Sequence, residues 1–233
     1  MKIGILTCGH AAAEVLDEHG DYPEMFHTLL DGHGFTFKDY DVEHLQFPAN
    51  IRDCDGWLLT GSRHGVYEDH AFIPLLETFI REVYAAHIPM VGICFGHQII
   101  AQALGGHVEK FNGGWSIGAT DYQFDDLGRV TLNAWHQDQV ITPPEGAMPV
   151  ASNDFCANAA LVYDDRIYTV QPHPEFSNSL IAEYVRLRAG GSGYPDDVMA
   201  RAAERVTCPT DSQMIADKIA DFFKQPREAS RAS

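Results

Sequence analysis

Cys94 stands in the run Val91-Gly92-Ile93-Cys94-Phe95-Gly96-His97-Gln98, between an apolar stretch and a helical one. A strand that ends, a nucleophilic side chain and a helix that starts at once form the pattern G-x-nucleophile-x-G, with cysteine in the place of serine. The glycines have a steric reason: a tight turn brings neighbouring backbone too close for a Cβ at 92 or 96. Cys94 then sits at a helix N-terminus, where free N–H groups and the dipole favour a thiolate. The N–H of Phe95 points where an oxyanion would form. The chemistry such a group can do is attack by sulfur on a carbonyl carbon.

A nucleophilic cysteine needs a base, and the base needs a group to orient it. The segment Val170-Gln171-Pro172-His173-Pro174-Glu175-Phe176 offers both. Prolines on either side favour an extended backbone at His173. In an extended chain residues i and i+2 share a face, so Glu175 can fix the tautomer of His173. A third segment, Leu58-Leu59-Thr60-Gly61-Ser62-Arg63-His64-Gly65, ends an apolar run in a small-residue turn. Backbone N–H groups of such a turn can face a ligand, so Gly61 and Ser62 could complete an oxyanion hole with Phe95.

These segments need a scaffold that brings strand ends together. Apolar runs at Lys2–Thr7, Phe35–Tyr40, Gly56–Thr60 and Pro89–Ile93 read as strands. Tyr22–Leu30 and Phe72–Tyr84 carry apolar residues at helical spacing, the latter through Phe72, Leu75, Leu76, Phe79, Ile80 and Val83. Ile99–Leu104 belongs to the helix after Cys94. Strand and helix in alternation predict a parallel sheet covered on both faces. After Gly106 the strands Ala119–Phe124, Arg129–Asn133, Gln139–Ile141, Ala159–Tyr163 and Ile167–Gln171 follow without helices between them, which predicts an antiparallel section. Helices over Asn178–Arg188 and Thr210–Lys224 close the chain, with Gly190-Gly191-Ser192-Gly193 as a hinge candidate. The expected class is α/β: an open, mostly parallel sheet flanked by helices, a small antiparallel section and a helical C-terminal extension. The expected division is a domain over 1–190, a helical extension over 191–225 and a disordered tail over 226–233. The apolar face of Ile215–Phe223 could dock on the core or on a second copy of the chain.

Composition narrows the partners. The 233 residues include 33 Asp or Glu and 16 Lys or Arg, a formal net charge of −17. So acidic a chain, without a basic cluster, is repelled by phosphate backbones, which excludes nucleic acid as a general partner. No apolar run approaches the roughly 20 residues that span a bilayer, and the N-terminus lacks a signal-peptide pattern, so a cytoplasmic protein is expected. Cys8, Cys54, Cys94, Cys156 and Cys208 form no CxxC pair, and free thiols are expected. Twelve histidines invite a metal reading, yet no H-E-x-x-H or comparable ligand spacing occurs, so neither metal nor other cofactor is expected. His64, Asp69 and His70 read as a solvated loop near the pocket, and Cys8 as a buried thiol.

Together these segments resemble the class I, or triad, glutamine amidotransferases. Gly92–Gln98 matches that family's G-x-C-x-G-x-Q elbow, Gln171–Glu175 its Q-x-H-P-E segment, and Trp135-His136-Gln137-Asp138-Gln139-Val140 its H-x-D-x-V segment. Thr60-Gly61-Ser62 takes the place of its oxyanion turn. Ser62 and Arg63 stand where the family usually has a second glycine and a proline. The Gly-Ser turn is similar to that of stand-alone, amidotransferase-like γ-glutamyl peptidases. The resemblance implies Cys94 as nucleophile, His173 as base and acid, and Glu175 as the residue orienting His173. It implies oxyanion donors at Gly61, Ser62 and Phe95, and substrate contacts at Gln98 and at Trp115, Ser116 and Ile117. His136 and Asp138 are then supporting residues.

The implied reaction is hydrolysis of a γ-glutamyl amide, glutamine or a γ-glutamyl peptide or amine, through a thioester on Cys94. Two readings are open: a stand-alone hydrolase, or a glutaminase that feeds ammonia to a separate synthase. A second copy of the chain, as a homodimer, is a further candidate partner. A non-catalytic domain of the same fold is the remaining alternative, and the intact Cys94, His173 and Glu175 count against it.

Overall fold

The structure is a computed structural model, and it describes residues 1–191 and 193–226. Ser192 of the hinge candidate and the tail from 227 onward lie outside the described residues. The central sheet has nine strands. Its parallel part comprises β1 (Lys2–Leu6), β2 (Thr36–Tyr40), β3 (Gly56–Leu59), β4 (Met90–Ile93) and β11 (Ile167–Val170). It continues antiparallel through β10 (Ala160–Tyr163), β9 (Ala147–Ser152), β6 (Ser116–Phe124) and β7 (Gly128–His136). The spatial order is β2-β1-β3-β4-β11-β10-β9-β6-β7. A separate antiparallel pair joins β5 (His107–Lys110) to β8 (Asp138–Thr142). The expected class, a mostly parallel sheet flanked by helices with an antiparallel section, is the one observed.

β3, β4 and β11 are buried along their whole length, as continuous apolar runs covered on both faces should be. On one face Leu6, Trp57 and Leu59 pack with α3 (Phe72–Ala85) and α4 (Phe95–Ala103). On the other, Ile3, Ile5, Leu58, Val91 and Ile93 pack with Phe26 of α2 (Tyr22–Leu29) and with Ile215, Ile219 and Phe223 of α7 (Ser212–Lys224). The apolar face of the last helix therefore docks on the core. A short α1 (Leu16–His19) precedes α2, which opens with a capping box between Asp21 and Glu24.

Three elements depart from expectation. β5 and β9 fall in stretches that read as turns, and β9 contains Pro149, near which its pairing with β10 shifts register. A helix α6 (Asp196–Arg205) lies between α5 (Asn178–Arg188) and α7. It buries only Met199 and Ala202, so its sequence carries little apolar signal. α5 and α6 form a third cluster with Ile117, Phe176 and Tyr22. Within α3, Leu75 faces solvent and Ile73 takes its place in the core.

Candidate active site

The register of three adjacent strands places the three chemically suggestive segments side by side. Leu59 of β3 pairs with Gly92 of β4, and Val170 of β11 pairs with Ile93. Cys94 follows β4 by one residue, the Gly61 turn follows β3, and His173 follows β11 by three. They meet at the carboxyl edge of the parallel sheet. Backbone bonds tie the segments together: Cys94 N–H donates to the Val170 carbonyl at 2.9 Å, and Gly96 N–H to the Thr60 carbonyl at 3.1 Å.

The elbow is strained where its sequence suggested. Cys94 holds φ 52° and ψ −101°, an orientation uncommon for any residue but glycine, worth about 1–3 kcal/mol of strain. A Cβ on Gly92 would lie 2.5 Å from the Gly96 carbonyl oxygen, and one on Gly96 would lie 2.4 Å from that of Leu59. Both positions therefore exclude any side chain. Phe95 is the first residue of α4, so its N–H has no intrahelical acceptor.

His173 Nδ1 lies 2.7 Å from Glu175 Oε1, and both side chains are buried. Burial is the largest single influence on His173 and disfavours its charged form. The charges of Cys94 and Glu175, with the hydrogen bonds to each, outweigh it and raise the pKa to about 10. His173 is thus an imidazolium at neutral pH, facing the Cys94 sulfur. Phe176 stacks on its ring with centroids 3.9 Å apart, and the His173 N–H donates to the Asn133 carbonyl of β7 at 2.8 Å. Asn133 also donates through Nδ2 to the Phe176 carbonyl, which fixes the stacked ring.

A Cβ on Gly61 would lie 2.9 Å from His173 Cε1 and 3.9 Å from Cys94 Cβ, so the turn's backbone borders both groups. Ser62 lines a cleft of about 560 Å³, together with Cys94, Gln98, Trp115 and His173. Ser116 and Ile117 do not line it. Ile117 packs in the cluster under α5, and Ser116 pairs with His136 in the β6–β7 ladder. Both amide hydrogens of Gln98 are used, on the Asp138 carbonyl at 2.9 Å and on Gln171 Oε1 at 3.1 Å. Gln98 therefore braces the site. Gln171, a motif residue to which the sequence assigns no role, directs Nε2 at Cys94 Sγ at 3.6 Å. Its place two residues before His173 is the signal that could have singled it out. Cys8 is fully buried, and burial pushes its thiol far up, which makes it inert.

The model of the family glutamine amidotransferase class-I matches residues 25–187. The chain belongs to the class-I glutamine amidotransferases. Among relatives, gamma-glutamyl peptidase 2 of Arabidopsis thaliana is 26% identical, over 73% of this chain and 74% of that protein. The amidotransferase component of the glutamine-hydrolysing GMP synthase of Halobacterium salinarum is 32% identical, over 73% of this chain and 92% of that protein. The solved glutamine amidotransferase of Methylobacillus flagellatus superposes with a TM-score of 0.76 at 21% identity, over 100% of this chain and 98% of that one, a likeness of fold. Among the described residues no helix is long and apolar enough to cross a membrane. All five cysteines are free.

Proposed function

We propose that this amidotransferase-family protein hydrolyses γ-glutamyl amides through a γ-glutamyl thioester on Cys94. The observation that carries the reading is the buried line of Cys94, His173 and Glu175 at the edge of the cleft. The Cys94 sulfur attacks the γ-carbonyl carbon as a thiolate, its charge matched by the His173 imidazolium. The carbonyl oxygen takes up the displaced electron pair and is held by backbone N–H groups of Phe95 and the Gly61–Ser62 turn. One such donor is worth roughly 3–4 kcal/mol of barrier. As the C–N bond breaks, His173 gives its proton to the leaving nitrogen. Neutral His173 then takes a proton from water, hydroxide attacks the thioester carbon, and glutamate leaves as the sulfur is restored. Glu175 holds the imidazole in register through both halves.

The cleft favours a leaving group larger than ammonia. Its volume of about 560 Å³ falls in the range that takes drug-sized ligands. Trp115, Trp135, Tyr184 and Tyr194 line it as a set of edge-packed rings, with Trp115 and Tyr194 centroids 4.7 Å apart. An aromatic wall of this kind gives apolar area to an amine or peptide. A second reading rests on the likeness to a GMP synthase component: glutamine as substrate, with ammonia passed to a separate synthase. The purified chain decides between them. Amine release from γ-glutamyl dipeptides faster than ammonia release from glutamine supports the first reading. Slow turnover of both, rising sharply with an added synthase, supports the second. Cys94→Ala abolishes hydrolysis while the fold persists, and residual activity above about 1% would contradict the assigned nucleophile.

A further inference from the structure

Outside the proposed catalytic line, histidines and carboxylates gather on one lip of the cleft. The loop after β3 carries His64, Glu68 and His70, whose ligand atoms all lie within 4.8 Å of one another. His70 Nε2 is 2.8 Å and His64 Nδ1 3.6 Å from the same oxygen, Glu68 Oε2. In a tetrahedral zinc site with bonds of about 2.0–2.1 Å, ligand atoms stand roughly 3.3 Å apart. The two separations bracket that value. We propose that His64 Nδ1, Glu68 and His70 Nε2 form a binding site for a divalent transition cation of the zinc type.

Two further features fit such a site. The other nitrogen of His64, Nε2, lies 2.7 Å from Glu43 Oε1, a carboxylate that is only 10% exposed. A carboxylate on the distal nitrogen fixes the tautomer and orientation of a ligating imidazole, the usual support of a zinc histidine. His64 and Glu68 also line the cleft. Three protein ligands leave one position open, and here it faces the space where substrate enters. Two imidazoles with a single carboxylate select zinc over calcium or magnesium, which take oxygen donors. A formal charge of −17 draws cations to the surface in general.

A neighbouring triple, His10, Glu43 and His44, is less suited. His10 Nδ1 is engaged by Asp21, whose carboxylate also accepts the N–H groups of Ala11 and Tyr22 at the start of α2. His44 is bonded to Asp41 and exposed. Those groups are committed to one another as a local network.

The test is zinc chloride titrated calorimetrically into the full chain carrying Cys94→Ala, which removes the competing thiolate. One zinc per chain with a dissociation constant in the micromolar range or below is expected. His70→Ala weakens binding at least tenfold. Glu43→Gln weakens it by about 10–100-fold, as loss of such a support does elsewhere. His44→Ala changes nothing. His70 is half-exposed, so its truncation reads the site even where His64→Ala fails to fold. No zinc binding, binding that His70→Ala leaves intact, or binding that His44→Ala removes would each overturn the assignment.

Discussion

Acid should unfold this protein largely through two histidines beside the candidate site. His97, in α4, and His136, at the end of β7, are buried. Burial first, then the charge of a neighbouring histidine, lowers each pKa to about 3; backbone interactions with Asn158 and Asp138 oppose this. Both are therefore neutral in the native state across the working range. In the unfolded chain a histidine titrates near 6.5, about 3.5 units higher. The unfolded state thus binds more protons between those values, and stability falls as pH drops below 6.5. Each group loses about 2 kcal/mol between pH 7 and pH 5, so the pair loses about 4 kcal/mol. Against a typical total of about 5–15 kcal/mol that is a large fraction. His97→Asn isolates one of the two. Its amide can take the place of Nδ1, which lies 2.8 Å from Thr169 Oγ1 on β11. Urea unfolding followed by circular dichroism at pH 7 and pH 5 is the assay. The wild type should lose about 2 kcal/mol more than the variant over that interval. Equal losses in the two proteins would refute the reasoning, because every other titrating group is shared.

Three further outcomes follow from the geometry. Gly96→Ala places a Cβ 2.4 Å from the Leu59 carbonyl oxygen; it should cost about 1–3 kcal/mol and lower Tm by several degrees, and an unchanged melt would contradict the close approach. Glu175→Gln keeps the shape beside His173 and removes a charge that raises its pKa. Ring-nitrogen NMR should then show His173 losing its proton at lower pH than in the wild type, with kcat reduced at least about 100-fold. Trp115→Ala should raise KM for γ-glutamyl dipeptides several-fold more than for glutamine, since Trp115 belongs to the aromatic wall. Equal effects on both substrates would detach that wall from the leaving group.

The parallel half of the fold was legible because its strands are short apolar runs bounded by glycine, buried on both faces. The glycines at 92 and 96 were legible for the same reason of close approach, and the distances bear it out. β5, β9 and α6 were not. Each is short or polar and is held by neighbours: β5 by β8, β9 by β10, α6 by β6. The substrate contacts inferred at Ser116 and Ile117 rested on position along the chain, and the β6 ladder turns those residues away from the cleft lining.

The sequence alone determined the local chemistry. A cysteine in a glycine-framed turn, and a histidine two residues from a glutamate in a proline-stiffened segment, depend on contacts of short sequence range. Tertiary structure alone decided what long-range pairing brings together. Gln171 reaches the Cys94 sulfur only because β11 lies beside β4. Glu43 reaches His64 only because the loop after β2 folds against the loop after β3. The last helix is a layer of the core because its apolar face meets Ile3 and Phe26, residues about 200 positions away in the chain. Periodicity reveals that such a face exists. Only the packed sheet shows what covers it.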